Sequence, residues 1–301
     1  MKTSKSPNRV ALVAYAVAKH SLPAYLHLKS PKKFTQHQLV TCLVLKEFFT
    51  TDYRGIMEIL EDSTDLKNIL ELSEVPHYTT LQKAAQRLTK KDTLGKLMKE
   101  VLRIAVKTKI MKKTVQLSAI DGTGFESHHI SAYFVKRKAK GREIYQMTTY
   151  TRYPKVGIAV DSSTHLILAG VTERGPYPDI VHFEKVLNEA EKNIHSKILT
   201  AADAGYDSEK SHTFAREVHN IRTIIPPKVG RQTHKLPTGK WRKIMATRFN
   251  TKLYGQRWQV ETVNSMLKRN LGSFLRARSY WSQCREMMLR LFTHNIMVVR
   301  S

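Results

Sequence analysis

The first third of the chain carries apolar residues at helical spacing. Between positions 34 and 110, residues such as Leu39, Leu43 and Ile56 recur mostly at helical steps, and no run alternates apolar with polar positions. This pattern predicts an all-helical N-terminal region. The apolar stretch at 10–18 is short and is followed by Lys and His, so a helix suits it better than a secretion signal.

From position 114 the pattern changes to β-rich segments. Residues 114–121 read Thr-Val-Gln-Leu-Ser-Ala-Ile-Asp and predict a strand that ends in Asp121. Strands and helices that follow one another in this way predict an α/β sheet, in which polar groups at strand ends do the chemistry. Later strands are predicted at 144–150, 156–160, 166–171, 197–203 and 221–225, with helices that begin near 179 and 208 and a helical region from about 254.

The composition is that of a folded and strongly basic protein. Hydrophobic residues make up 41% of 301 positions, which excludes a disordered chain, and 51 Lys and Arg against 25 Asp and Glu leave a net charge of +26. Such a charge attracts polyanions, and nucleic acid is the commonest of these partners, although a ribosomal-type binding protein would carry the same charge. We expect Cys42 and Cys284 to be core thiols, and we expect a cytoplasmic protein that is nucleoid-associated when bound to DNA.

Three acids stand out by their placement. Asp121 and Asp203 each follow an apolar strand-like run, and Glu261 lies within the C-terminal helical region. Taken singly, an Asp after a strand most often shapes a turn or caps a helix. Carboxylates that are brought together repel one another unless a divalent cation neutralises them, so the three together indicate a Mg²⁺ site. Two such ions can activate water and stabilise the leaving oxygen of a phosphodiester.

The surroundings of Glu261 strengthen this interpretation. On a continuous α-helix Arg257, Glu261 and Lys268 would lie at roughly −60°, −20° and −40° from Tyr254. A face that holds a phenol, a guanidinium, a carboxylate and an ammonium is a poor core but suits a metal ligand beside phosphate-binding donors. Arg257 and Lys268 could instead pair with Glu261 or Glu286 and hold the helix in place.

The spacing Tyr254-x2-Arg257-x3-Glu261-x6-Lys268 resembles the Tyr-Arg-Glu-Lys signature of DDE-type insertion-sequence transposases, which have an RNase H-like catalytic core. The segments Ala-Ile-Asp-Gly-Thr at 119–123 and Asp-Ala-Gly-Tyr-Asp at 203–207 resemble the two aspartate motifs of that group.

The resemblance implies an RNase H-like α/β core with a mixed sheet flanked by helices. It implies that Asp121, Asp203 and Glu261 are the catalytic and metal-binding residues of a two-metal Mg²⁺ site, with Mn²⁺ as a substitute. It also implies that Tyr254, Arg257 and Lys268 contact DNA near the element end. The partners would be the terminal inverted repeats and the target DNA, bound by a homodimer in the active complex.

The predicted organisation has two parts. Residues 1–112 are expected to form a helical region that reads DNA, although these helices could equally do no more than pack. Residues 113–301 are expected to form the catalytic domain, with a short basic insertion at 226–248 that we expect to lie near a phosphate backbone. Trp241 and Trp258 could stack on a displaced base, but we expect Trp258 to pack.

Three functions therefore compete. The first is a transposase that cleaves at the element ends and joins them to target DNA. The second is an RNase H-fold nuclease that cuts without joining, and the third is a DNA-binding protein that descends from a transposase but has no activity. An intact set of three acids argues against the third, because a binding module gains nothing from three carboxylates beside DNA.

Overall fold

The computed structural model describes residues 3–27, 29, 31–129, 132–138, 145–194, 196–228 and 235–299. Its first part is helical, which confirms the prediction for the N-terminal region. Ser6 caps the first helix through its side chain, and Pro7 occupies the first helical position. Thr35 and Gln38 form a reciprocal capping box at the second. The six helices are α1 (Pro7–Ser21), α2 (Gln36–Phe48), α3 (Tyr53–Asp62), α4 (Thr64–Ile69), α5 (Tyr78–Leu88) and α6 (Lys91–Lys107).

The second part is built on a five-stranded sheet with the strand order β5-β4-β1-β6-β7. The strand β1 is antiparallel to β4 and parallel to β6, so the sheet is mixed. The remaining pairings are antiparallel for β4 with β5 and parallel for β6 with β7. The strands are β1 (Ser118–Gly124), β4 (Tyr153–Asp161), β5 (Ile167–Gly175), β6 (Leu199–Ala202) and β7 (Arg222–Ile224).

Helices cover both faces of this sheet. A Cβ atom on Gly157 would lie 2.4 Å from His182 in α7, and one on Gly170 would lie 2.2 Å from Leu291 in α12. Gly170 pairs with the residue that follows Gly157, so the two glycines face opposite sides of the sheet. This arrangement confirms the predicted RNase H-like fold class. The helices are α7 (Ile180–Asn193), α8 (Glu209–Thr213), α9 (Lys240–Thr247), α10 (Thr251–Tyr254), α11 (Trp258–Leu271) and α12 (Tyr280–Val298).

Two strand predictions were wrong in detail. The first strand does not end at Asp121, because its antiparallel pairing with β4 continues to Gly124. The segment predicted at 144–150 does not join the main sheet, because β3 (Tyr145–Thr151) pairs with β2 (Ala132–Lys138) in a separate two-stranded sheet. Position 144 itself lies outside the described residues.

One apolar core runs through the N-terminal helices and the sheet region. Helix α12 packs against α2, α6 and β5, and most of its apolar residues are buried. A buried ion-pair network also joins the N-terminal helices to the second part of the chain. Arg290 of α12 contacts Glu47 of α2 and Glu286 of its own helix. Cys42 and Cys284 are free and buried, which confirms their assignment as core thiols. The division at 112/113 remains a prediction.

No helix in the described part of the chain is both long enough and apolar enough to cross a membrane.

Candidate active site

The register of the sheet places two of the predicted acids side by side. Parallel pairing of β1 with β6 sets Ile120 opposite Ala202. The residues that follow these two in the sequence are Asp121 and Asp203. The backbone N–H of Gly205 donates to Oδ1 of Asp203 over 2.6 Å, which orients this exposed carboxylate at the turn after β6. Asp121 within β1 and Asp203 directly after β6 therefore lie at the same end of two neighbouring strands.

Asp121 occupies a partly buried position with an altered acidity. Burial raises its pKa to about 6, and the nearby charges of Asp179 and Glu261 act in the same direction. A hydrogen bond from the Gly122 N–H and the charge of Arg257 oppose the shift. In the absence of a cation this carboxyl group therefore holds its proton well above the ordinary range of an aspartate.

An amide on α11 fixes the Asp121 carboxyl group. Nδ2 of Asn264 donates to Oδ2 of Asp121 over 3.1 Å, and α11 packs against β1 along this contact. The Oδ1 atom of Asn264 is buried and has no hydrogen-bond partner among the described residues. It is an oxygen acceptor beside the Asp121 carboxyl group that could still accept a hydrogen bond or bind a cation.

Glu261 lies in the first turn of α11 with 54% of its side chain exposed and forms an ion pair with Arg257. The charge of Glu261 raises the pKa of Asp121, and the charge of Arg257 lowers it. The Arg257 guanidinium therefore lies close to two of the three acids. Within the described residues, no three His, Cys, Asp or Glu side chains form a ready metal-binding group. Because Arg257 neutralises Glu261 here, the convergence of all three acids on one cation remains a prediction.

The prediction that Tyr254 to Lys268 form one continuous helix was wrong. Helix α10 ends at Tyr254, a 3₁₀ turn covers Gly255–Arg257, and α11 begins at Trp258. A 3₁₀ turn rotates about 120° per residue, so the angles calculated for an α-helix do not hold across it. The Arg257 guanidinium still lies 5.8 Å from the Tyr254 ring centre, whereas the Lys268 ammonium lies 6.0 Å from the ring centre of Phe125.

Two charged residues at the site were missed by sequence reasoning. Lys155 of β4 is only 8% exposed and forms an ion pair with Asp179, which precedes α7. Both cover Gly122, where a Cβ atom would lie 2.9 Å from Oδ1 of Asp179 and 3.0 Å from Cε of Lys155. Gly122 is thus needed for the close approach of this pair. The signal available in the sequence was the position of Lys155, a charged residue directly before the apolar run 156–160.

A buried pair lies beneath the acids. The Tyr206 hydroxyl and Nε2 of His182 are 3.0 Å apart and share a hydrogen bond. Burial raises the pKa of Tyr206, and the charges of Asp179, Asp121 and Asp203 add to the shift. Burial also lowers the pKa of His182, so the pair is neutral and supports the acids without adding charge.

The basic insertion contains a short helix that the sequence did not predict. Its residues 229–234 lie outside the described residues, and 240–247 form helix α9. Arg242 of this helix reaches back to Asp207, a fully buried carboxylate, with Nε–Oδ1 and Nη2–Oδ2 distances of 3.0 and 2.7 Å. Asp207 also accepts from the Lys228 N–H. The charge of Arg242 is therefore neutralised by Asp207 inside the protein. That the insertion lies near a phosphate backbone remains a prediction.

The expectation that Trp258 packs was also wrong, because 53% of this side chain is exposed at the start of α11. Trp241 is partly buried, donates its indole N–H to Glu217 and stacks with Arg216, whose guanidinium carbon lies 4.4 Å from the ring centre.

Comparisons with known proteins give one family match. A comparison with curated proteins gives no match. One similar solved structure is the crystal structure of the Mos1 mariner paired end complex with Mn, which is 9% identical and spans 94% of this chain and 85% of its own, with a TM-score of 0.24. Nothing further is inferred from so low a score. Residues 113–296, more than half of the chain, match the family described as the transposase DDE domain. The chain therefore belongs to the transposase DDE domain family.

Proposed function

We propose that the protein is a DNA transposase that cleaves at the ends of an insertion sequence and joins the freed ends to target DNA. The observation that carries the proposal is the sheet register, which sets Asp121 and Asp203 side by side, while helix α11, which carries Glu261 in its first turn, packs against β1. Membership of the family supports the general function. The net charge of +26 supplies the attraction to DNA.

We assign metal binding to Asp121, Asp203 and Glu261. The donor set consists of carboxylate oxygens, with the unpartnered Oδ1 of Asn264 beside them, and hard oxygen donors are what Mg²⁺ and Mn²⁺ prefer. Bound Mg²⁺ ions would polarise phosphate oxygens and activate the attacking oxygen. We expect Mn²⁺ to substitute. Arg257 holds charge balance at Glu261 in the structure and would exchange that contact for a phosphate oxygen.

The two proposed reaction steps use the same chemistry on different nucleophiles. In the first, a water oxygen attacks phosphorus at the element end, the new P–O bond forms, and the 3′ oxygen leaves with a proton as a free hydroxyl. In the second, that 3′ hydroxyl loses its proton and attacks a phosphorus of target DNA. A P–O bond to the element end forms, the bond from that phosphorus to the 3′ oxygen of the target breaks, and this oxygen leaves with a proton as a hydroxyl. Tyr254, Arg257 and Lys268 would hold the end through phosphate contacts. Because two ends must be joined, a homodimer is the expected active form.

A strand-transfer assay separates the proposal from its competitors. Purified protein is incubated with a duplex that carries the terminal inverted repeat and with a supercoiled target plasmid, in Mg²⁺ or in EDTA. A transposase gives cleaved ends and joined products with Mg²⁺ only. Cleaved ends without joined products would support the nuclease instead, and binding without cleavage in either Mg²⁺ or Mn²⁺ would support the inactive DNA-binding protein.

A further inference from the structure

A cleft of about 330 Å³ beside the candidate active site is lined by three guanidinium groups, from Arg152, Arg174 and Arg278. We call it the arginine pocket. Its other walls come from two aromatic rings, a proline, a histidine and an amide, and no acidic side chain is among these lining residues. Three like charges around one cleft repel one another, so an arrangement of this kind favours an anionic ligand.

The position of the pocket relates it to the acids. Tyr153, which lines the pocket, lies against β1 so closely that a Cβ atom on Gly124 would be 2.8 Å from its Cε2. Gly124 follows Asp121 by three residues in the same strand, which corresponds to about 10 Å at the rise of a β-strand. Gly124 is paired with Lys155, so Tyr153 and Arg152 lie beyond this end of β1.

The walls of the pocket are fixed by contacts that leave the guanidinium groups of Arg174 and Arg278 available. Arg174 stacks on Tyr280, with its guanidinium carbon 3.9 Å from the ring centre. Gln283 is 3% exposed, and its amide donates to Oγ of Ser127 over 2.8 Å and to the carbonyl of Ala277 over 3.1 Å, which joins the two loops at the rim.

Neither Arg174 nor Arg278 takes part in an ion pair between residues that the structure describes. The nearest acid in sequence, Glu173, is occupied by Lys185 over 2.7 Å. Guanidinium groups bind phosphate oxygens through paired N–H donors, and stacking on an aromatic ring holds the group flat without consuming those donors. The pocket thus offers oriented donors to an oxyanion.

We propose that the arginine pocket binds backbone phosphates of the DNA that extends from the acids past the Gly124 end of β1. The inference rests on the proposed function, because that function supplies the DNA strand at Asp121. It goes further by assigning a second phosphate-binding site, on different elements from Tyr254, Arg257 and Lys268. The phosphates could belong to the element end or to the target, and the two sources are separated by the duplex used.

The test measures DNA affinity by fluorescence anisotropy between 50 and 200 mM NaCl in EDTA, with a terminal-repeat duplex and with a duplex of unrelated sequence as target. Arg278→Gln is the main variant, since this exposed side chain has no ion pair to lose. Arg174→Gln is the second. Arg222→Gln is the matched control, because Arg222 is exposed and lies at the opposite end of the β6–β7 pairing from Asp203.

We expect each pocket variant to weaken binding about tenfold, as for a lost charge-assisted hydrogen bond, and to lower the salt slope by about 0.9. The control should keep the wild-type slope. If affinity falls only for the repeat duplex, the pocket binds phosphates of the element end. If affinity falls for both duplexes, the pocket also binds phosphates of the target. Wild-type slopes for both pocket variants on both duplexes would overturn the proposal.

A change on the DNA side leaves the protein untouched. Uncharged methylphosphonates are placed one at a time along the strand on both sides of the cleavage position. At the phosphate that the pocket contacts, this change should weaken binding by wild type but have no further effect on Arg278→Gln. Equal, additive effects in both proteins would overturn the assignment. If wild type cleaves the end in Mg²⁺ and the variants bind normally, only the pocket inference fails. If wild type does not cleave but the variants show the lower salt slope, the pocket inference is supported and the proposed function fails.

Discussion

At the scale of single residues, the acidity of Asp121 makes the stability of the protein depend on pH. Burial raises its pKa to about 6, against about 3.9 in an unfolded chain. The folded protein therefore holds this proton more tightly, so its contribution to stability is complete below about pH 4 and is lost as pH rises through 6. The shift corresponds to at most about 3 kcal/mol.

We predict that Asp121→Asn raises the melting temperature by several degrees at pH 7.5 in EDTA, because the amide removes the cost of a buried charge. The measurement is a thermal melt of both proteins at pH 4 to 8. The difference should shrink steadily below pH 6. A variant that melts lower than wild type at pH 7.5, with a difference that does not change with pH, would contradict this account of Asp121.

The same residues show what sequence could predict of the site. Asp121 and Asp203 were found because each follows an apolar run, and the parallel register then sets them together. Asp179 and Lys155 were not found, because their contact depends on how the segment before α7 folds back over Gly122. A contact between residues so far apart in sequence leaves no periodic pattern. The break before Trp258 was missed since a single 3₁₀ turn leaves the apolar pattern unchanged.

At the scale of elements, an ion pair anchors the insertion that contains α9. Arg242 is bonded twice to the buried carboxylate of Asp207. We predict that Arg242→Ala destabilises the protein by about 2–3 kcal/mol, because it leaves a charged group buried without its partner. Lys243→Ala, an exposed residue of the same helix, is the control. Urea unfolding measures both.

This ion pair also predicts how the insertion behaves toward DNA. Arg242→Ala should leave the salt slope of DNA binding unchanged, because its charge is already neutralised inside the protein. A salt slope lowered by about one unit without loss of stability would contradict this account and show that Arg242 contacts a phosphate.

Helices α2 and α12 are joined by buried charges. Arg290 is 3% exposed and contacts Glu47 over 3.1 Å and Glu286 over 2.7 Å. We predict that Arg290→Ala lowers the free energy of unfolding by about 3–5 kcal/mol, since two carboxylates lose a shared cation. Arg285→Ala in the same helix contacts only a serine and serves as the control. Similar losses in the two variants, measured by urea unfolding, would show that the network adds nothing specific.

The elements themselves were largely predictable. Apolar runs located β4, β5 and β6, and the cap at Ser208 was confirmed at the start of α8. The β2–β3 pair was not predicted, because β2 reads Ala-Tyr-Phe-Val-Lys-Arg-Lys and lacks an alternating pattern. Sheet membership could not be predicted either. A candidate strand at 144–150 carries no signal that tells which partner it will pair with.

At the scale of the whole molecule, the continuous core argues that the two predicted parts depend on each other. Helix α12 buries its apolar face against α2 and α6 as well as against the sheet. We predict that a fragment of 113–301 lacks fixed tertiary structure, because removal of 1–112 exposes that face and leaves Arg290 without Glu47. Near-ultraviolet circular dichroism and thermal melting test this. A fragment that melts cooperatively would establish the boundary at 112/113 as that of an independent domain.

The central claim is that Asp121, Asp203 and Glu261 act together as the catalytic acids of a metal-dependent transposase. Its most direct test is single-turnover cleavage of a terminal-repeat duplex in Mg²⁺ by wild type and by Asp121→Asn, Asp203→Asn and Glu261→Gln, with binding measured in parallel. Each change removes one negative charge with little change of volume. We predict that cleavage is lost in all three while affinity for the duplex is retained. Cleavage at the wild-type rate in any one of the three would contradict the claim and remove that residue from the site.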